Sequence, residues 1–133
     1  MEVKYFLTAD YANQTPEGKL NVLGIFDRIY SNSFPTIHPF LYVVGQLSAN
    51  AAERGRKFTI QIKLLNEDGI EILGLGLEGE FPQDHHDPVA DFAFGIALAN
   101  IVFEKPGDYQ FSLLVDNDEK ETHRLQVLTA TSQ

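Results

Sequence analysis

The chain has no cysteine and no tryptophan. Without cysteine there is no disulfide, no thiol nucleophile, no cysteine-ligated zinc and no iron–sulfur cluster. Basic residues are scarce: 10 Lys and Arg stand against 19 Asp and Glu, for a net charge of −9. A domain this acidic repels phosphate backbones, so no nucleic-acid partner is expected. Long apolar runs are also missing. No window approaches the ~18 apolar residues of a membrane-spanning helix, so no membrane partner is expected. The first residues, Met1-Glu2-Val3-Lys4-Tyr5-Phe6, alternate charge with apolar side chains and do not read as a secretory leader. The expected location is cytoplasmic.

What remains is the composition of a folded domain. With 133 residues, 44% of them hydrophobic, the chain reads as one domain over 1–133 and is too apolar to be mainly disordered. A chain of this size buries roughly two-thirds of the surface it exposes when unfolded.

Alternation with period two dominates. In Lys57–Leu64 the apolar Phe58, Ile60, Ile62 and Leu64 fall on one side, while Lys57, Thr59, Gln61 and Lys63 fall on the other. That is a half-buried strand, since successive strand side chains point to opposite faces. Tyr109–Val115 repeats the pattern with Tyr109, Phe111, Leu113 and Val115 inward, and Thr122–Leu128 does so with Leu125 and Val127. Val3–Ala12, Lys19–Phe26, Pro39–Ala49, Ile70–Phe81 and Ala90–Phe103 also read as strands. Turn residues separate them: Thr15-Pro16-Glu17-Gly18, Glu67-Asp68-Gly69, Lys105-Pro106-Gly107-Asp108 and Asp116-Asn117-Asp118-Glu119. Ser31–Pro39 contains Phe34-Pro35 and His38-Pro39, and proline blocks ladder hydrogen bonds, so this stretch is expected to cross between sheets as a loop. Gly107-Asp108-Tyr109-Gln110-Phe111 resembles the entry to a late strand of immunoglobulin-like domains, where a tyrosine hydroxyl ties back to the backbone. The expected fold is all-β: an immunoglobulin-like, two-sheet antiparallel sandwich of about eight strands.

Two segments carry a resemblance. Tyr5-Phe6-Leu7-Thr8-Ala9-Asp10 followed by Gly18–Ile29, together with Pro106-Gly107-x-Tyr109-x-Phe111 and Val115-Asp116, is similar to a bacterial family of small uncharacterised proteins, known only as a domain of unknown function. The resemblance implies a single β-sandwich in a bacterial cytoplasm. It implies no catalytic or binding residue.

Few residue groups suggest chemistry. Asp84-His85-His86-Asp87, with Asp91 beyond, is the densest set of metal-ligand types. Asp116 and Asp118 would share an end of the sandwich with it, beside Asn13–Gly18 and Asn50–Arg56. A solvated polar loop is the simpler account. Glu78 and Glu80 flank Gly79 as a wet strand face rather than a catalytic pair. Gly74-x-Gly76-x-x-Gly79 matches a dinucleotide fingerprint in letters, yet Leu73, Leu75 and Leu77 continue a strand where the fingerprint needs a helix. Ser31, Ser33, Ser48 and Ser112 have no nucleophile-elbow context. Arg54, Arg56 and Lys57 make a small basic turn, not a phosphate site. No catalytic, cofactor or metal residue is therefore assigned, no cofactor is expected, and the chain is expected not to be an enzyme.

The feature that stands out is a face without charge. In Ala90–Phe103, Phe92, Phe94, Ile96 and Leu98 form one side, and Ala93, Gly95, Ala97 and Ala99 form the other. Pro39–Ala49 is apolar on both sides. Either the chain's own crossing loop, such as Ser31–Pro39, covers the small residues, or they form a docking surface for a partner. The expectation is a non-enzymatic protein–protein interaction or structural module that binds a protein partner or a second copy. The alternative is a metal- or small-ligand-binding sandwich using the loop at Asp84–Asp87.

Overall fold

The computed structural model describes residues 1–83 and 90–130. Nine strands account for most of them: β1 (Glu2–Gln14), β2 (Leu20–Phe26), β3 (Arg28–Ser31), β4 (Thr36–Ala49), β5 (Lys57–Leu65), β6 (Glu71–Glu80), β7 (Ala90–Phe103), β8 (Gly107–Val115) and β9 (Asp118–Thr129). One 3₁₀ turn, Ala51–Glu53, is capped by the Asn50 side chain. The strands form two sheets. One has the order β2-β1-β4-β7, the other β3-β9-β8-β5-β6.

The turns form for the reasons their residues suggest. Between β5 and β6, Asn66 Oδ1 accepts from the N–H groups of Asp68 and Ile70, each at 2.9 Å, and Gly69 takes a φ of +79°. Between β8 and β9, Asp116 and Asn117 both have positive φ, as a two-residue hairpin twisted to match its strands requires.

Two expectations change. The strand count rises from about eight to nine, because Arg28–Ser31 is a strand of its own. It pairs in parallel with β9, Ile29 beside Val127, so the sandwich is not wholly antiparallel. Four residues with one buried side chain carry too little alternation to be read in advance. The second change concerns Ser31–Pro39. The chain does cross between sheets there, but only over residues 32–35, since β4 starts at Thr36. His38 and Pro39 lie within β4. Pro39 is tolerated because the ladder skips it: His38 pairs with Ile101 and Phe40 with Ala99 in unbroken register, while Asn100, opposite Pro39, takes a φ of +54° and is likewise unpaired with it.

The core lies between the sheets. The inward side chains expected from alternation are all buried: Phe58, Ile60, Ile62 and Leu64 on β5, Tyr109, Phe111, Leu113 and Val115 on β8, Leu125 and Val127 on β9. They meet Leu41, Val43, Leu47 and Phe94 from the other sheet. Tyr109 is buried, packs edge-on against Phe103 at 4.8 Å, and donates its hydroxyl proton to the Lys105 carbonyl at 2.7 Å. One polar knot crosses the core. Thr8 donates to the Phe26 carbonyl at 2.6 Å, and His123 Nε2 lies 3.0 Å from Thr8 Oγ1. Since the hydroxyl proton goes to Phe26, His123 donates its own.

Candidate functional site

The outer face of the four-stranded sheet follows from register. Ala97 of β7 lies beside Tyr42 of β4, Tyr42 beside Ala9 of β1, and Ala9 beside Ile25 of β2. This row crosses all four strands. Neighbouring pairs extend it: Ala99 with Phe40, Val102 with Ile37, and Leu23 with Tyr11. None of these residues is charged. Rings bind the row together, with Tyr42 5.4 Å from Tyr11 and 5.2 Å from Phe40, both edge-on. The large members are open to solvent: Ile25 is 64% exposed, Leu23 62%, Phe40 44% and Tyr11 44%. A contiguous apolar patch of this kind usually marks a contact surface.

Part of the face is covered, though not by residues 31–39. β1 pairs with β4 only as far as Ala9, and from there pairs with β2 alone. Gly24 takes a φ of +71° where the Asp10 carboxylate crowds it, which leaves no room for a side chain. Past this point the β1–β2 hairpin curls back over the sheet. A Cβ placed on Gly95 would lie 3.7 Å from Ala12 Cβ and 3.9 Å from Leu20 Cδ2. Val44 points outward yet is fully buried. The hairpin thus reaches within contact distance of Gly95 and buries Val44, while Gly95, Ala97 and Ala99 stay exposed.

The other motifs take up structural positions. Asp84, His85, His86 and Asp87 lie outside the described residues. Among those that are described, no three His, Asp or Glu side chains gather as a metal site. Asp91 bonds Ser48, and Asp118 pairs with Lys120 at 2.9 Å. Asp116 is held by Arg56 at 2.8 Å and by the Thr59 N–H at 3.0 Å. That backbone bond first, then Arg56, keeps its carboxyl below the usual range. Arg56 also meets Glu53 at 3.2 Å, so it is neutralised from both sides. The Asn50–Arg56 turn lies beside the end of β6, where the Gly55 N–H donates to the Phe81 carbonyl and the Phe81 N–H to the Arg56 carbonyl. Glu78 and Glu80 are exposed opposite Thr59 and Lys57. Gly74, Gly76 and Gly79 all lie in β6. A Cβ at Gly79 would strike the Phe58 ring, so that glycine serves aromatic packing.

Two histidines approach the core from different strands. Burial pushes the pKa of His123 down, against the pull of Asp27. It does the same to His38, against the Phe40 backbone and Asp10. Both act as neutral packing groups near Phe26 and Phe6.

The profile of a protein family described as "Family of unknown function (DUF6941)" matches residues 4–128. The chain belongs to this family. No curated protein matches it. The two quoted segments that carried the resemblance lie within the matched range. Sequence reading found the small-residue strip of β7 and the two-sided apolar stretch Pro39–Ala49 but missed the partners on β1 and β2. Tyr11, Leu23 and Ile25 join the row only through cross-strand register.

Proposed function

We propose that this domain is a non-enzymatic protein–protein interaction module, and that a second copy of the chain docks on the outer face of its four-stranded sheet. The carrying observation is the uncharged row Ala97–Tyr42–Ala9–Ile25 with its exposed flanks. Its relief favours self-association. Phe40 and Tyr42 stand proud beside the low strip of Ala97 and Ala99, so a two-fold axis sets the rings of one copy over the strip of the other. The absence of charge lets two acidic molecules meet there without like charges in contact. We also infer an immunoglobulin-like relationship for the sandwich: the order β9-β8-β5-β6 corresponds to the G-F-C-C′ order of variable-type sheets, and the Tyr109 tie supports it.

Sedimentation of the parent beside Ala97→Glu tests the docking. The parent is expected to sediment as a dimer and the variant as a monomer that keeps its β circular dichroism, because an exposed glutamate reaches water in the free domain. A parent that stays monomeric at high concentration overturns the reading.

A further inference from the structure

β7 is an edge strand, and over Ala90–Ala99, before its break at Asn100, it has no device that discourages pairing beyond the single charge of Asp91. Edge strands normally guard their free hydrogen-bonding groups with charge, brevity or a break. β3 has four residues. β2 has seven and is broken by Gly24 at positive φ. β6 carries Glu71, Glu78 and Glu80. β7 runs for 14 residues with one charge, Asp91, at its start. Among the described residues nothing pairs with its outer edge. That edge is also the floor of a groove of about 1130 Å³. One wall is the tip of the β1–β2 hairpin, the other is Leu75–Leu77 of β6, and Phe92, Phe94 and Ile96 lie along the bottom. The stretch Ala90–Ile96 is long enough for about six residues of extended chain at roughly 3.3 Å each.

We propose that this groove receives an extended, apolar segment of another protein, flanked by basic residues, which adds to β7 as a strand. Backbone groups of β7 supply the hydrogen bonds, and the apolar wall at Leu75 and Leu77 takes alternate side chains. Charge decides the occupant. Among the described residues the rim holds Glu17, Glu80 and Asp91 against Lys19 alone. A second copy has no basic residue in β7 to answer that rim, whereas a segment with Lys or Arg at its ends does. The groove shares Ala93 and Gly95 with the hairpin end of the outer face but not the exposed row at Ala97, Tyr42 and Ile25, and its occupant is different.

The test selects peptides from a phage-displayed library of random dodecapeptides on the full chain. Recovered peptides should alternate apolar and polar residues and carry Lys or Arg at their ends. They should slow hydrogen exchange at alternate amides of residues 91–96. Ala93→Arg places a like charge and a bulky side chain in the groove, and should weaken binding by about tenfold or more. If that variant does not fold, the exchange pattern decides alone. No enrichment, or peptides that leave exchange at 91–96 unchanged, overturns the proposal. Slow exchange there without peptide, lost on dilution, assigns the edge to a second copy and overturns it too.

Discussion

On β5 the side chains that point away from the core are Lys57, Thr59, Gln61 and Lys63; on β7 they are Ala93, Gly95, Ala97 and Ala99. Both strands bury their other side in the same core. Around β5 the five-stranded sheet therefore meets water as an antiparallel sheet usually does, with polar groups outward, and its exposed apolar side chains, Tyr30 and Ile72, stand on the two edge strands. The four-stranded sheet meets it with tyrosines, isoleucine, leucine and alanine. The folding requirement is equal for the two inner faces. Folding alone therefore does not account for the difference between the outer faces, and the proposed docking does.

The sharpest way to break this comparison uses two phenylalanines. Phe111 is fully buried on the inner face, and Phe40 is half open on the outer one. Phe111→Ala is expected to cost about 3–5 kcal/mol in denaturant unfolding, the usual range for a buried ring. Phe40→Ala should cost the monomer less than about 1 kcal/mol, as surface changes do. If Phe40→Ala proves as damaging, the outer face is core and not surface.

A smaller effect belongs to Tyr109. Its hydroxyl is buried on the Lys105 carbonyl, so Tyr109→Phe should cost about 1 kcal/mol, and more if that carbonyl stays unpaired. An unchanged unfolding midpoint would reduce the tie to packing.

The histidines set a pH dependence. Their native pKa values lie below the ordinary 6.5, so the unfolded chain binds protons more readily. Stability contributed by neutral His38 and His123 is complete above pH 6.5 and is lost as pH falls from there through their lowered native values. The melting temperature should decline as pH falls from neutral toward 5. Glu53, Asp108 and Asp116 have lowered values and add a later decline, below about pH 4. In His123→Gln, whose amide can still donate to Thr8, the first decline should shrink.

The smallest stability change is the most informative about function. Gln61→Glu and Ala97→Glu each add one carboxylate to an outer face, and neither should shift the monomer's stability beyond about 0.5 kcal/mol. Only Ala97→Glu should change the sedimentation mass. Equal behaviour of the two would erase the distinction between the sheets.

Much of the fold was legible along the chain. Strict alternation in β5, β8 and β9 determined which side chains face inward, because a strand has only two sides. Asp68-Gly69 and Asp116-Asn117 determined hairpins, because few residues accept positive φ. The small, uncharged strip of β7 was legible as an anomaly. Tertiary structure decided the rest. β3 was hidden because four residues hold too little pattern and its parallel partner β9 comes about a hundred residues later in the chain. The curl of the β1–β2 hairpin over Gly95 was hidden because it depends on where β1 parts from β4. The apolar row through Tyr42 and Ile25 was hidden for the same physical reason. Register between strands distant in sequence determines which side chains become neighbours, and no local pattern encodes it.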